Sequence, residues 1–511
     1  MSTSDTGDRS GPRIPALFAG LTLLVHSLTN GGYDYFRDEF YYIACSDHLA
    51  AGYVDHPPLS ILLLAASRWL LGDSLHALRF LPAVASAALV WLTARMARAL
   101  GGEAIAQTLA AVAVMVAPVF LAVGNFYSMN AFEPVFWIGG ALVLIRLIQT
   151  DRATLWLPLG LIIGLGLENK HSMLFFSFGL AVALLLTPAR RYLFSRWLWC
   201  GALLALALFL PNLVWQARFG FPTLEFMRNA QRLKNMPLSP LEFLGQQILM
   251  LHPLALPLWM AGLCWCLFSA AGRRYRALAW IYLTVAVVMV VQQGKAYYLA
   301  PAYPMVLAAG ATALVTWTRA RARWLPAAYA TILLIGGVAL APLALPLLPA
   351  QTLVRYARAL GAEEGVKAER GESAQLPQYF ADMFGWKEMV ATVAQVYGSL
   401  PLEDQRRCAI FAGNYGEAGA IDFLGKAYGL PPAISGHNNY WLWGPGSATG
   451  EVVIVVAGSR SDLAPFCESL TQVAVTHCDY CMPHENNRPI FLCRNSTGHL
   501  AELWARVKHY I

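Results

Sequence analysis

Up to about residue 350 the chain alternates long apolar runs with short polar breaks, and the runs have the length of membrane crossings. A helix needs roughly 20 mostly apolar residues to cross a hydrocarbon layer. Blocks of that kind, bounded by charges, Gly or Pro, recur near 14–32, 75–95, 104–123, 131–149, 154–170, 172–188, 197–215, 246–270, 277–293, 298–317 and 324–348. They predict a polytopic α-helical membrane protein with about 11 transmembrane helices. No small-residue cleavage site follows the first run, so it is expected to remain as an anchor. Beyond 350 the pattern changes. Leu353 to Leu360 and Trp386 to Tyr397 read as helices, and Cys408-Ala-Ile-Phe-Ala and Val452-Val-Ile-Val-Val-Ala read as buried strands. Strands alternating with helices predict a small α/β domain. The expected division is a membrane domain over 1–348 and a soluble domain over 349–511.

Composition sharpens this picture. The 511 residues are 57% hydrophobic and 13% charged, with mean hydropathy +0.48, against about 25% charged in ordinary soluble domains. A soluble globular enzyme and a disordered chain are both excluded. Before residue 350 there are 24 Lys and Arg against 14 Asp and Glu, and after it 13 against 16, so the net +7 belongs to the apolar part. In a chain with so many apolar runs this excess reports loop orientation and lipid headgroups, not nucleic acid. With a cytoplasmic N-terminus, the inner loops collect Arg9, Arg13, Arg95, Arg98, Arg146, Arg152, Arg190, Arg191, Arg196, Arg273, Arg274, Arg276, Arg319, Arg321 and Arg323. Of the acids only Asp5, Asp8, Glu103 and Asp151 fall inside. Eleven crossings then leave the C-terminal domain extracytoplasmic. The long connections, 33–74 and about 216–245, lie on the outer side, where long ordered loops commonly carry function.

The C-terminal region contains Cys408, Cys467, Cys478, Cys481 and Cys493. Outside the cytoplasm these can form at most two disulfides. The spacing Cys478-x2-Cys481-x2-His484-x8-Cys493 also suits zinc but matches no standard finger, and disulfides or free thiols are the expected state.

Polar groups at the outer helix ends carry the candidate chemistry. Asp38 and Glu39 follow the first run within Gly31-Gly-Tyr-Asp-Tyr-Phe-Arg-Asp-Glu-Phe-Tyr-Tyr. Adjacent carboxylates close to lipid repel each other and lose solvation, conditions that suit proton abstraction from a hydroxyl or cation binding. The bland alternative is an interfacial charge pair partnered by Arg37. Further on, Asp55 and His56 precede Pro57-Pro58, which stiffens their segment; there the alternative is a loop entering a helix, with Asp55 as its cap. Asn130 and Glu133 begin one run, Glu168-Asn-Lys170-His171 ends another, and Gln292-Gln-Gly-Lys295-Ala-Tyr297-Tyr298 joins two more. Ionisable groups at membrane depth are rare and commonly functional, although the tyrosines also suit an aromatic belt. Arg218, Arg228, Arg232 and Lys234, interleaved with Phe219, Phe221 and Phe226, resemble an interfacial amphipathic segment. By the predicted topology these groups gather at the outer interface, an arrangement fit for transfer from a lipid phosphate: cations to hold the phosphate, a carboxylate to activate a hydroxyl.

These residues resemble the polyprenyl-phosphate-dependent glycosyltransferases of family 39, which include the protein O-mannosyltransferases and the bacterial lipid A aminoarabinose transferases. The resemblance covers about residues 14–320. It rests on Arg37-Asp-Glu-Phe-Tyr-Tyr, Asp55-His-Pro-Pro-Leu, Gly164-Leu-Gly-Leu-Glu-Asn-Lys-His, Phe221-Pro-Thr-Leu-Glu and Lys295-Ala-Tyr-Tyr-Leu-Ala-Pro-Ala-Tyr-Pro. It implies the GT-C fold, with Asp38 as the base that deprotonates the acceptor, Glu39 supporting it, and inversion at the sugar. It also implies donor-phosphate binding by Lys170, His171, Lys295, His56 and Arg218 beside Tyr297 and Tyr298, in a cavity carrying Asp55, Asn130, Glu133 and Glu168. The aminoarabinose branch has Lys where this chain has His56, a departure at that subsite. Relatives differ in their need for a divalent cation, so no metal is assigned. The expected partners are an undecaprenyl-phosphate-linked sugar and an acceptor on lipid A, a protein or an envelope glycan, in the bacterial inner membrane. In the C-terminal domain, Trp441 and Trp443 are placed to stack on a sugar or to dock the domain. The competing reading of the whole chain is a transporter or lipid-binding protein without chemistry, but no paired Gly/Pro-broken repeat of the transporter kind is present.

Overall fold

The computed structural model describes residues 13–362, 370, 372–456 and 458–511. Asp5, Asp8 and Arg9 lie outside the described residues. The chain forms two compact units that interleave along the sequence. One comprises Met1–Gly31, Arg79–Leu213 and Pro237–Leu347; the other comprises Gly32–Leu78, Val214–Met236 and Leu348–Ile511. A linear division at 348/349 therefore misses that the two long loops fold with the C-terminal region.

The first unit is helical. Six helices among the described residues are long and apolar enough to cross a membrane: Leu75–Ala99, Met129–Thr150, Arg196–Arg218, Arg273–Val291, Ala296–Thr318 and Leu325–Leu343. Two bent pairs raise this to eight, Met173–Leu186 with Pro188–Phe194 (108°) and Pro240–Leu251 with Pro253–Phe268 (100°). The expected eleven exceeds this count because three predicted crossings are short or broken. Arg13–Thr29 and Ala153–Asn169 span 17 residues at most, or about 25 Å at 1.5 Å per residue. The run over 104–123 divides into Ala104–Met115 and Pro118–Val123, since the residue before a proline is driven out of the helical region. Pro253 breaks the run over 246–270 in the same way, with His252 at φ +117°. The helices pack closely: a Cβ on Gly310 would lie 1.9 Å from the Leu258 carbonyl oxygen, the kind of small-residue contact that drives helix association in lipid.

The second unit is built on a five-stranded sheet: β1 (Cys408–Ala412), β2 (Ala433–Ser435), β3 (Val452–Val456), β4 (Cys467–Val475) and β5 (Pro489–Ser496), in the order β2-β1-β3-β5-β4. β1 runs parallel to β2 and β3, and β5 is antiparallel to β3 and β4. The fully buried β3 reads as a continuous Val/Ile run, as expected of a strand covered on both faces. Ala409, Ile434, Val453, Val455, Phe491 and Trp504 form the core on one face. The edge strand β4 is mostly exposed, and the Cys467–Cys493 disulfide ties it to β5. That bond removes Cys493 from the zinc spacing. Cys478 and Cys481 remain thiols, with the Cys481 N–H donating to the Cys478 sulfur at 3.2 Å.

Candidate active site

The first long loop folds into two helices, Arg37–Asp47 and Leu59–Leu71, joined by the Asp55-His-Pro-Pro segment. Arg68 of the second helix ties it to Asp47 of the first at 2.6 Å and also bonds Asp73, just beyond its own helix, at 2.6 Å. Helix Arg37–Asp47 starts at Phe36, a residue with no capping oxygen. Glu39 supplies the missing group: its buried carboxylate accepts from the Phe36 N–H at 2.8 Å, the reach-back half of a capping box. Adjacent Asp38 and Glu39 therefore do different work. Glu39 holds the helix start, while Asp38 remains 31% exposed, 3.5 Å from the Arg37 guanidinium.

The C-terminal region grips this loop within the same unit. After β1, Asn414 caps helix Tyr415–Leu424, accepting from the Gly416 and Glu417 N–H groups at 2.8 and 3.0 Å. That helix lies directly against Arg37–Asp47: a Cβ on Gly416 would meet Arg37 Cγ at 2.5 Å, and one on Gly419 would meet the Phe40 backbone at 2.8 Å. Close approach lets the Tyr415 hydroxyl donate to Asp38 at 2.9 Å while its ring stacks on Tyr41 at 4.6 Å. From the turn after β2, Asn439 Oδ1 accepts from the Val54 N–H at 2.7 Å and from the Tyr41 hydroxyl at 3.1 Å. Tyr41 also lies 2.8 Å from Asp55 Oδ1. A phenol has one proton for these two acceptors. The Tyr41 hydroxyl is the donor to both, and its one proton is shared between them. Burial pushes the Asp55 carboxyl above its ordinary range, against the opposing pull of His56 and the Tyr41 bond.

His56 sits among the aromatic rings of the loop. It is fully buried between Tyr42 at 4.7 Å and Tyr53 at 4.9 Å, with Tyr41 at 5.9 Å. Its Nε2 lies 4.0 Å from Asp55. Trp443 stacks on His48 of the same loop at 4.3 Å. Trp441 and Trp504 exchange indole-to-carbonyl bonds at 2.9 and 2.8 Å. Both predicted aromatics thus serve packing inside this unit. Deeper in it, Glu417 and Glu485 share a buried site with Arg488, 3.3 Å from Glu417, and with Asn414, 2.9 Å from Glu485. Burial and the neighbouring Glu417 push Glu485 up to about 8.

The helical unit holds a second cluster. Ser128 caps helix Met129–Thr150, which presents Asn130 and Glu133. Lys170 follows helix Trp156–Asn169 and donates to Glu133 at 2.6 Å and Asn130 at 2.8 Å. Ser172 donates to the other Glu133 oxygen. The ammonium lies over the Tyr298 and Tyr297 rings at 4.8 and 5.7 Å. His171 contacts Asn212 at 3.2 Å. Lys295 immediately precedes the 3-10 turn Ala296–Ala302 that carries the two tyrosines, and Glu168 sits one turn before Ser172 in chain order. Arg218, at the end of helix Arg196–Arg218 and within the stretch Val214–Met236 that belongs to the other unit, is exposed. Sequence reasoning missed Tyr41, Tyr415, Asn439 and Ser172. The runs Gly413-Asn-Tyr-Gly and Gly436-His-Asn-Asn did stand out as polar and aromatic, but their target did not.

Fold and clusters together define a class: a polytopic membrane protein with a polar site on its first long loop and a sheet domain folded onto that loop. Comparison with known proteins narrows this. Residues 55–215 match the family described as dolichyl-phosphate-mannose-protein mannosyltransferase. The lipid A galacturonosyltransferase RgtD of Rhizobium johnstonii is 27% identical over 271 residues, 52% of this chain; the chain spans 57% of that relative's length. ArnT from Cupriavidus metallidurans shares the fold. The form bound to undecaprenyl phosphate aligns with TM-score 0.59 at 15% identity, and the apo form with 0.58 at 16%, each over 93% of this chain and 97% of the other. The chain is thus similar in part of its sequence to the mannosyltransferase family and to a lipid A galacturonosyltransferase, and in fold to ArnT.

Proposed function

We propose that the protein is an inverting glycosyltransferase that moves a sugar from an undecaprenyl-phosphate donor to an extracytoplasmic hydroxyl on lipid A, a protein or an envelope glycan. Its place is the bacterial inner membrane, with a cytoplasmic N-terminus. On this reading the body makes eleven crossings, the three short or broken segments counting with the other eight. Asp38 is the base. One observation carries this choice: of the two adjacent carboxylates, Glu39 is buried in a helix cap while Asp38 keeps water access and is aimed by a phenol. A hydrogen bond to the charged form holds a carboxylate ready to accept a proton from the acceptor hydroxyl. As that oxygen attacks the anomeric carbon, the bond to the phosphate breaks, and the phosphate leaves already ionised, needing no acid. A single displacement of this kind inverts the sugar.

Glu39 and Tyr415 act as positioning residues, and Asn439, through Tyr41, fixes Asp55 beside the base. Lys170 is assigned to the donor phosphate with His171, Lys295, Tyr297 and Tyr298. Two of its three N–H groups go to Glu133 and Asn130, leaving one for a phosphate oxygen. Arg218 is assigned to the exposed approach. The test is reconstitution of the purified chain in vesicles with undecaprenyl phosphate carrying galacturonic acid, aminoarabinose or mannose, with lipid A as first acceptor. Transfer with inversion supports the reading. Retention of configuration, or donor translocation without transfer, contradicts it, the latter favouring the transport alternative.

A further inference from the structure

At the far end of helix Met129–Thr150 from Asn130 there is a cavity of about 690 Å³ that neither cluster uses. Arg95 and Arg98, from the last turns of helix Leu75–Ala99, and Arg146, one turn before the end of Met129–Thr150, supply its polar lining together with Gln149. Trp91, Leu142 and Val143 supply its apolar wall. The 22 residues of Met129–Thr150 extend about 33 Å, close to the ~30 Å of a hydrocarbon core. The cavity therefore sits at one headgroup boundary and the Lys170 cluster at the other.

Its charge is uncompensated. The two acids that follow these helices in sequence are engaged elsewhere, Asp151 by Arg191 at 2.7 Å and Glu103 by Arg319 at 3.0 Å. Among the described residues no carboxylate pairs with Arg95, Arg98 or Arg146; Arg95 lies only over the Trp91 ring, at 5.5 Å. Gln149 is fixed by bonds to the Ala99 carbonyl at 2.6 Å and the Tyr275 hydroxyl at 2.9 Å, so the floor is rigid. Trp91 is 40% exposed beside it. The C-terminal ends of two helices add negative dipole ends that favour these cations. Dipole ends cannot supply the paired oxygens that guanidinium forks match.

We infer that this cavity is a binding site for an anionic phospholipid, its phosphodiester on Arg95, Arg98 and Arg146 and its acyl chains along Trp91, Leu142 and Val143. Charge complementarity selects the phosphate and the apolar wall selects a lipid over a free anion. Basic pockets between helices at headgroup depth recognise anionic lipids in this way.

The full chain, purified in neutral detergent, would be titrated separately with phosphatidylglycerol, phosphatidylcholine, undecaprenyl phosphate and inorganic phosphate, and bound species read by native mass spectrometry. Phosphatidylglycerol should be retained in preference to the other three. The Arg95→Gln/Arg98→Gln/Arg146→Gln variant should bind it about 100-fold more weakly, at roughly a factor of five per charge. Arg321→Gln/Arg323→Gln, which removes arginines outside the cavity, should leave binding unchanged. Equal retention of phosphatidylcholine, preference for undecaprenyl phosphate or inorganic phosphate, or equal losses in the two variants would overturn the assignment. Should the triple variant not fold, hydrogen exchange on the wild type decides. Phosphatidylglycerol should slow exchange over 91–99 and 142–150, and no slowing there would equally overturn it.

Discussion

In the helical unit the Lys170 ammonium is buried against Glu133, Asn130 and two tyrosine rings, whereas in the other unit Asp38 keeps contact with water and holds one phenol. The first arrangement neutralises a charge that lipid would not tolerate alone; the second leaves a charge available for reaction. Polar residues at a membrane boundary thus separate into groups whose pairing sustains the fold and groups whose incomplete pairing suits chemistry. Glu39 and Asp38 show the same division between neighbours in sequence.

The contrast can be broken by mutation. Asp38→Asn should cost the most turnover, about 100- to 10,000-fold, the usual worth of a general base, with melting temperature unchanged. Lys170→Ala should do the reverse in kind. It leaves Glu133 buried without its cation and should destabilise the protein by about 3–5 kcal/mol, with a further loss in donor kcat/KM; thermal unfolding in detergent measures the first. Removing both partners with Lys170→Met/Glu133→Leu should recover most of that stability but none of the donor use. If Lys170→Ala left the melting temperature untouched, the division between the clusters would fail. Tyr415→Phe keeps the ring against Tyr41 and removes only the donor to Asp38. A hydrogen bond to a charged group is worth about 1.5–3 kcal/mol, so kcat should fall about 10- to 100-fold at constant donor KM, and steady-state kinetics reads the split.

The smallest effect concerns pH. Glu485 in the folded protein titrates near 8, above its usual 4.5, so the folded state holds a proton that the unfolded chain releases. Its contribution to stability is complete below about pH 4.5 and declines as pH rises toward 8. Glu485→Gln should flatten that decline, seen as a smaller difference in melting temperature between pH 5 and pH 8.

Much of the helical unit was legible because a crossing helix must be apolar along its whole length. The breaks were less so: Pro118 and Pro253 stood in the sequence, yet the continuity of the apolar runs outweighed them. β1 and β3 were readable as short apolar strands, being covered on both faces. β4 was not, because an exposed edge strand mixes polar and apolar residues without a clean alternation, and the three-residue β2 is too short to carry a pattern. Within the candidate site, the partly exposed position of Asp38 at the start of the first long loop could be read from its neighbourhood. The capping role of Glu39 could not, since the usual signal needs Ser, Thr, Asp or Asn at the helix start and here it is Phe36. Tyr415 and Asn439 act on a loop more than 370 residues away in sequence, a distance over which spacing conveys nothing. A histidine beside Asp55 reads the same in sequence whether it faces a ligand or the three tyrosines that surround His56 here.

The central claim is that Asp38 removes the acceptor proton. Its most direct test is a single turnover with the donor bound in advance, comparing Asp38→Asn with the wild type as acceptor is added. The account predicts that the variant keeps the donor bound with unchanged affinity and forms product at least 100-fold more slowly. Product formation at the wild-type rate would contradict it.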